Sequence, residues 1–135
     1  MISKSKSKST DHPVIKCVSV CKVFGENANR LLKQNNGVID AKIFQEAGCV
    51  VGVNNASFEV QKGEMLVVMG LSGSGKSTLL RCISRLADTT AGEIHIDGED
   101  LLKMNSKQLI KLRRTKMGMV FQNFALMPHR SVLDN

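Results

Sequence analysis

The chain has 135 residues, of which 42% are hydrophobic and 23% charged, so it is at most one domain of an ordinary soluble protein. No apolar run reaches the length of a membrane span, and the first ten residues lack the apolar core of a secretory signal. The net charge of +7 could attract nucleic acid, anionic lipid or an acidic partner. Aromatic residues are only 4% and include no Trp or Tyr, so base-stacking surfaces are scarce and nucleic-acid binding is disfavoured.

The N-terminal part alternates between tail, strand and helix patterns. Residues 1–12, in which Ser and Lys alternate from Ser3 to Ser9, predict a disordered basic tail. Residues 14–20 are rich in β-branched side chains and predict the first strand. Residues 26–50 interrupt this β-rich region, because their apolar residues follow the spacing of one or two short helices broken at Asn35-Asn36-Gly37. We interpret 26–50 as a helical insertion, after which the strand pattern returns and continues to Val60.

The next segment predicts a strand, a glycine-rich loop and a helix. Residues 65–69 form an unbroken apolar run between two glycines, which is typical of a buried parallel strand. Residues 70–77 read Gly-Leu-Ser-Gly-Ser-Gly-Lys-Ser and fit the Walker A pattern G-x-x-x-x-G-K-S. Helical apolar spacing follows from about Lys76 to Leu86.

The chemistry expected of this loop is phosphate binding. Gly70, Gly73 and Gly75 lack a Cβ, so the backbone can adopt unusual angles and point successive N–H groups at one anion. The helix N-terminus adds its free N–H groups and the positive end of its dipole. Lys76 is expected to reach the β- and γ-phosphates, and the Ser77 hydroxyl to bind Mg²⁺. A chance Gly- and Ser-rich turn is the alternative, which the strand before and the helix after disfavour.

The C-terminal part predicts a hairpin, a basic helix and a second buried strand. Alternation over 93–98 with a closing Asp-Gly indicates a hairpin, with His95 on its polar face. Asn105 or Ser106 is expected to cap a helix that ends near Thr115. In that helix the leucines are expected inward and the basic residues outward: Leu109, Leu112, Lys107, Lys111, Arg113 and Arg114. Residues 117–121 predict another strand, which would place Gln122 on the same rim as the Walker loop.

The cysteines carry no sign of a metal or disulfide site. None of the four forms a C-x-x-C pair, and no histidine lies at zinc-ligand spacing. Small buried hydrophobic residues in a reducing cytosol are the expectation. These residues are Cys17, Cys21, Cys49 and Cys82.

These motifs together resemble the ATP-binding subunits of ATP-binding-cassette (ABC) transporters. The resemblance rests on three stretches: the Walker A residues, the strand and turn over 92–98, and Val120-Phe121-Gln122, which is similar to a Q-loop. The helical insertion is similar to that of the glycine betaine, proline and choline importer ATPases, as are the stretches 69–73 and 125–129. The resemblance implies an α/β fold, a P-loop NTPase core with an N-terminal antiparallel β region, of which 13–135 would be the front part.

The resemblance also implies roles for individual residues. Phe24 matches the aromatic residue that stacks on adenine, although a core phenylalanine at a strand end is the alternative. Gln122 matches the residue that meets Mg²⁺ together with Ser77, senses the γ-phosphate and links the site to the membrane subunit. Residues 127–130 would lie toward that subunit. The full set implied for ATP and Mg²⁺ is Phe24, Gly70, Ser72, Gly73, Ser74, Gly75, Lys76, Ser77, Thr78 and Gln122.

By the same resemblance, the complete protein would hydrolyse MgATP between two facing copies on the cytoplasmic face of the plasma membrane. It would drive a transmembrane permease subunit that takes up betaine-type quaternary ammonium osmolytes. A periplasmic or extracellular solute-binding protein would be an indirect partner. No nucleic acid is expected among its partners.

Other family motifs are absent from this sequence. The sequence lacks an apolar strand ending in Asp-Glu, the L-S-G-G-Q signature and a switch histidine. It therefore resembles the truncated front half of such an ATPase. This chain alone is expected to be inactive in ATP turnover. Without later strands to pair with, the Walker strand would leave an apolar edge exposed. The alternatives are a truncated nucleotide-binding remnant without hydrolytic activity and a P-loop protein that acts on nucleic acid, which the insertion and the stretch Leu126-Met127-Pro128-His129 disfavour.

Overall fold

A computed structural model describes residues 12–122 and 126–135 of the chain. The predicted tail, residues 1–12, therefore lies outside the described residues except for His12. The elements in chain order are β1 (Ile15–Phe24), α1 (Ala28–Gln34), α2 (Ala41–Glu46), β2 (Val50–Val60), α3 (Lys76–Ile83), β3 (Ala91–Ile96), β4 (Glu99–Asp100) and α4 (Ser106–Lys116), with a 3-10 turn at Leu101–Lys103.

The strands form one antiparallel sheet in the order β2-β1-β3-β4. Strand β1 is central and runs to Phe24, four residues beyond the predicted end, because β2 accompanies it from Ile15↔Val60 to Phe24↔Val50. Beside Lys22 the pairing shifts, since Lys22 faces Val53 whereas the next residue of β1 faces Val51. Gly52 is thus an extra residue of β2, a bulge that lies next to the end of β1.

The predicted helices of 26–50 are present as α1 and α2. The two ends of this segment meet, because Phe24 pairs with Val50 across the sheet. Asp40 caps α2 by accepting hydrogen bonds from the amides of Lys42 (2.8 Å) and Ile43 (3.2 Å). The segment also has a small apolar core of its own, formed by Val23, Ala28, Leu32, Phe44 and Cys49.

The main core lies between the sheet and α3. Leu79 and Cys82 of α3 pack against buried residues of β1, β2 and β3, which include Val20 and Ile94 at 0% exposure. All four cysteines are buried and free, as predicted. Burial raises the pKa of the Cys17 thiol to about 12, and the neighbouring Cys82 adds to the rise. These thiols therefore act as small apolar side chains of the interior.

Two predicted strands are wrong. Residues 65–69 and 117–121 have no regular secondary structure, and Met65 (86%), Met69 (73%) and Val120 (99%) are largely exposed. An apolar run becomes a strand only where a neighbouring strand completes its hydrogen bonds, and the described part of the chain pairs neither run with a partner. The exposed apolar segment expected of an unpartnered Walker strand is present, but its backbone is not a strand.

Helix α4 follows its prediction except at Arg113. The Asn105 side chain accepts a hydrogen bond from the Gln108 amide, and the Gln108 side chain accepts one from the Asn105 amide. The two residues thus form a capping box at the start of α4. The predicted outward position of Arg113 is wrong, because this residue is half-buried. It donates from Nε to the carbonyl of Ser84 (3.1 Å) and from Nη2 to that of Arg85 (2.6 Å). The guanidinium thereby satisfies carbonyls just past the C-terminus of α3.

Replacing Arg113 with Met is expected to lower the free energy of unfolding by about 1–3 kcal/mol, because two carbonyls lose a charged donor. Urea denaturation followed by circular dichroism measures the change. Arg114→Met is the matched control, since Arg114 lies on the same helix and makes no contact with these carbonyls, and we expect it to shift stability by less than about 0.5 kcal/mol. Equal effects of the two substitutions would show that the guanidinium contacts do not stabilise the fold.

Candidate functional site

The glycine-rich loop leads directly into the N-terminus of α3. Gly75 is the N-cap of that helix, with φ +87°, and Gly73 has φ +77°. Both angles lie in the left-handed region, which residues with a Cβ disfavour. The two glycines therefore permit the turn that joins the irregular segment before Gly70 to the helix after Gly75.

Gly75 also fits closely against strand β2. A Cβ at residue 75 would lie 1.9 Å from the carbonyl oxygen of Gly52, which is a backbone atom that cannot rotate away. At Gly73 a Cβ would meet no atom within 4 Å. The bulge at Gly52 and the loop therefore touch backbone to backbone, which fixes the position of the helix N-terminus relative to the sheet.

The first turn of α3 presents unpaired amides. Its first helical bond runs from the Leu79 amide to the Gly75 carbonyl (2.8 Å), so the amides of Lys76, Ser77 and Thr78 have no acceptor within the helix. Gly75 has no side chain that could cap them. A helix N-terminus with free amides attracts negative charge.

The Lys76 side chain folds back over the loop. Its Nζ donates to the carbonyls of Gly70 (2.8 Å) and Leu71 (2.6 Å) and lies 3.3 Å from the Ser74 hydroxyl. Within residues 12–122 and 126–135, no carboxylate forms an ion pair with this ammonium group. Its acceptors are neutral oxygens, so its positive charge remains available to an anion beside the loop.

The loop borders a cleft of about 450 Å³ between β2 and α3. Gly70 and Ser74 of the loop, which line the cleft, are exposed, and Ser77 is exposed in the first turn of α3. Its lining residues are Val51, Gly52, Val53, Asn54, Ala56, Val68, Met69, Gly70, Ser74, Gly75, Lys76 and Leu79.

Phe24 lies beside the same helix turn. It is 45% exposed at the end of β1. Its ring occupies the space that a side chain at Gly52 would fill, since a Cβ there would lie 2.8 Å from Phe24 Cε2 and 3.1 Å from Thr78 Cγ2. On one face of the ring, the Lys22 ammonium group lies 5.0 Å from the centroid. The structure thus brings Phe24 together with Gly52, Thr78 and Lys22.

The structure does not bring Gln122 to the loop. Gln122 is an exposed residue in a bend, and it is not among the residues that line the cleft. Asn123, Phe124 and Ala125, which complete the predicted Q-loop region, lie outside the described residues. Because 117–121 is not a strand, no sheet edge places Gln122 beside Gly70 to Ser77.

The residues present fit a nucleotide-bound Mg²⁺ better than a metal cage. In the described ranges, no three His, Cys, Asp or Glu side chains gather as a metal site. Mg²⁺ binds hard oxygens and usually takes several of them from water and substrate phosphates. The exposed Ser77 hydroxyl, next to the loop amides, is a suitable protein ligand of that kind.

Sequence reasoning missed two residues at this site. The strand pattern around Gly52 carries no functional prediction, although a glycine inside a valine-rich strand can signal a close backbone approach or a bulge. Lys22 carries no signal beyond its spacing of two from Phe24, which places both side chains on one face of β1.

The loop, the helix that it opens and the lysine after Gly75 define the P-loop class of protein. A family model described as "ABC transporter" matches residues 53–135, which is more than half of the chain. The chain is 72% identical over 123 residues to the trimethylamine N-oxide transport system ATP-binding protein TmoW of Pelagibacter ubique, a match that covers 91% of this chain and 36% of that protein. It is 49% identical over 122 residues to the glycine betaine transport ATP-binding protein OpuAA of Bacillus subtilis, with coverages of 90% and 29%.

The chain belongs to the ABC transporter family. Its structure is similar to the ATP-binding cassette MJ0796 solved as a dimer in a post-hydrolysis state with ADP and Pi, with a TM-score of 0.68, 30% sequence identity and coverage of 89% of this chain and 44% of the other. The predicted fold class is thereby confirmed. The chain spans about a third of the length of the curated relatives that it matches. Across the described ranges, no helix is both long and apolar enough to cross a bilayer.

Proposed function

We propose that the chain is the nucleotide-binding front part of the ATP-binding subunit of an ABC importer, which couples MgATP binding and hydrolysis to uptake of a betaine-type solute. Two features of the loop carry the proposal. The Lys76 ammonium group bonds the loop carbonyls, and the first three amides of α3 have no acceptor within the helix. One positive charge and several convergent N–H donors match the terminal phosphates of a nucleotide.

In this proposal each side chain has a defined task. The amides of the loop and of the first turn of α3 hold phosphate oxygens, while Lys76 moves its hydrogen bonds from Gly70 and Leu71 to the β- and γ-phosphates. Ser77 offers its hydroxyl to Mg²⁺, which when bound neutralises phosphate charge. Phe24 stacks on adenine, and Gln122 reaches the γ-phosphate and the metal once the segment around it packs against the rest of the protein.

The proposed solute class comes from the relatives. Two of them are named for transport of trimethylamine N-oxide and of glycine betaine. Both compounds carry a nitrogen with three methyl groups and a formal positive charge balanced by a negative oxygen. We propose a zwitterionic methylated amine of this kind as the transported solute.

The proposed partners are a second copy of the protein and a transmembrane permease subunit at the cytoplasmic face of the membrane, with a solute-binding protein acting indirectly.

Uptake in the source cell tests this function. Deleting the gene is expected to reduce accumulation of labelled trimethylamine N-oxide or glycine betaine, and the intact gene should restore it. A gene with Lys76→Ala is the matched control and should fail to restore uptake, because its product lacks the phosphate-binding charge. Unchanged uptake of both solutes after deletion would contradict the proposed solute class, and full rescue by Lys76→Ala would contradict the nucleotide-driven role.

A further inference from the structure

Lys22 is a half-buried cation that lies against an aromatic ring. Its Nζ lies 5.0 Å from the centroid of Phe24, within the range of a cation–π interaction. In the part of the chain that the structure describes, no carboxylate lies within ion-pair distance of this nitrogen. A cation that is partly removed from water without a carboxylate needs another source of stabilisation, and the ring provides it.

Phe24 is nearer to the phosphate loop than Lys22 is along the sheet. A Cβ at Gly52 would lie 2.8 Å from Phe24 Cε2 and 3.1 Å from Thr78 Cγ2, and the carbonyl oxygen of Gly52 closely approaches Gly75 of the loop. Lys22 precedes Phe24 by two residues on the same face of β1, in the direction of Val20 in the main core. Lys22 is therefore on the core side of Phe24, whereas Gly52 lies between the ring and the loop.

We propose that Lys22 is a positioning residue for the adenine base, an inference that rests on the proposed nucleotide-binding function. The ammonium group holds one face of the Phe24 ring. Gly52 gives the ring room near Thr78, and the ring presents its remaining face to a base whose phosphates lie on the loop. A ring without its cation would turn about its side-chain bonds, and the stacked base would lose part of its contact area.

Comparing two ligands in the intact protein separates this role from other uses of a charge. MgATP contains the base, whereas inorganic tripolyphosphate with Mg²⁺ contains only the phosphates. Lys22→Met keeps the length of the side chain and removes the charge, and it is expected to weaken MgATP binding by roughly three- to tenfold, the size of one partly buried cation–π contact. Tripolyphosphate affinity should stay unchanged. Lys22→Arg preserves the cation and should bind MgATP as the parent does.

A double-substitution cycle completes the calorimetric test. In a Phe24→Ala background, Lys22→Met is expected to have no further effect, because the ring that it holds is gone. An equal loss of affinity for both ligands, or an unchanged loss in the Phe24→Ala background, would overturn the positioning role. Unchanged MgATP affinity in Lys22→Met would overturn it as well while leaving the proposed function intact. Failure of the parent protein to bind either ligand would instead overturn the proposed function itself.

Discussion

Replacing Lys76 with Ala is expected to weaken MgATP binding by about 100-fold or more. The substitution removes the ammonium group that bonds the loop carbonyls of Gly70 and Leu71 and that would transfer to the β- and γ-phosphates. A hydrogen bond to a charged group contributes about 1.5–3 kcal/mol, and two such bonds correspond to at least two orders of magnitude in affinity. Isothermal titration of MgATP into the intact parent and variant proteins measures the difference.

Lys33→Ala is the matched control for the Lys76 variant. Lys33 is an exposed lysine in the last turn of α1, so its loss changes the net charge equally without touching the loop. We expect the control to bind MgATP as the parent does. Urea denaturation of both variants shows whether the lost loop contacts also change stability. Parent-like MgATP affinity in a folded Lys76→Ala protein would contradict the assignment of the site.

Gly75→Ala is expected to abolish measurable nucleotide binding and to destabilise the protein by about 3 kcal/mol or more. Two costs combine at this position. Any L-residue at φ +87° is strained by roughly 1–2 kcal/mol, and the new methyl group would lie 1.9 Å from the Gly52 carbonyl oxygen. Since neither backbone segment can rotate away, the loop must separate from β2 and the first amides of α3 lose their direction.

Gly73→Ala separates the two costs, because Gly73 has a similar φ of +77° but a methyl group there would meet no atom within 4 Å. We expect a loss of about 1–2 kcal/mol in unfolding free energy, from backbone strain alone, and nucleotide binding that is weakened but measurable. Urea denaturation and calorimetry of the two variants provide the comparison. If Gly75→Ala were no worse than Gly73→Ala, the contact with Gly52 would not position the loop.

The parts of the fold that depend on neighbouring residues in the chain could be predicted from the sequence. The Walker spacing located the loop and the start of α3, the pair Asn105-Ser106 marked the start of α4, and the break at residues 35–37 separated α1 from α2. In each case the signal and the structure involve residues only a few positions apart, as helix caps and turns do.

The predictions that were wrong concern features that depend on residues far away in the sequence. The apolar run 65–69 has the composition of a buried strand, but a strand also needs a neighbour, and composition cannot supply one. The basic face of α4 is correctly polar in pattern, yet nothing in that pattern distinguishes Arg113, which reaches the α3 carbonyls, from its neighbour Arg114. The space that the Phe24 ring occupies likewise depends on Gly52 of the neighbouring strand, whose bulge becomes visible only in the pairing of β1 with β2.

The predicted site residues likewise divide into those of a local motif and those whose positions depend on distant parts of the chain. Gly75, Lys76, Ser77 and Thr78 form one local motif, and the structure brings them together at one helix terminus. The nucleotide roles assigned to Phe24 and Gln122 remain predictions. The structure supports the first by placing the ring beside Thr78, whereas Gln122 has no such neighbour among the residues that line the cleft.

The most direct measurement of the central claim is a titration of the ¹⁵N-labelled intact protein with tripolyphosphate and Mg²⁺, followed through the backbone amide resonances. We predict that the largest shifts fall at Gly73, Gly75, Lys76 and Ser77, with saturation at one ligand per chain. Shifts that instead centre on the basic face of α4, around Lys107, Lys111 and Arg114, with none in the loop, would contradict it.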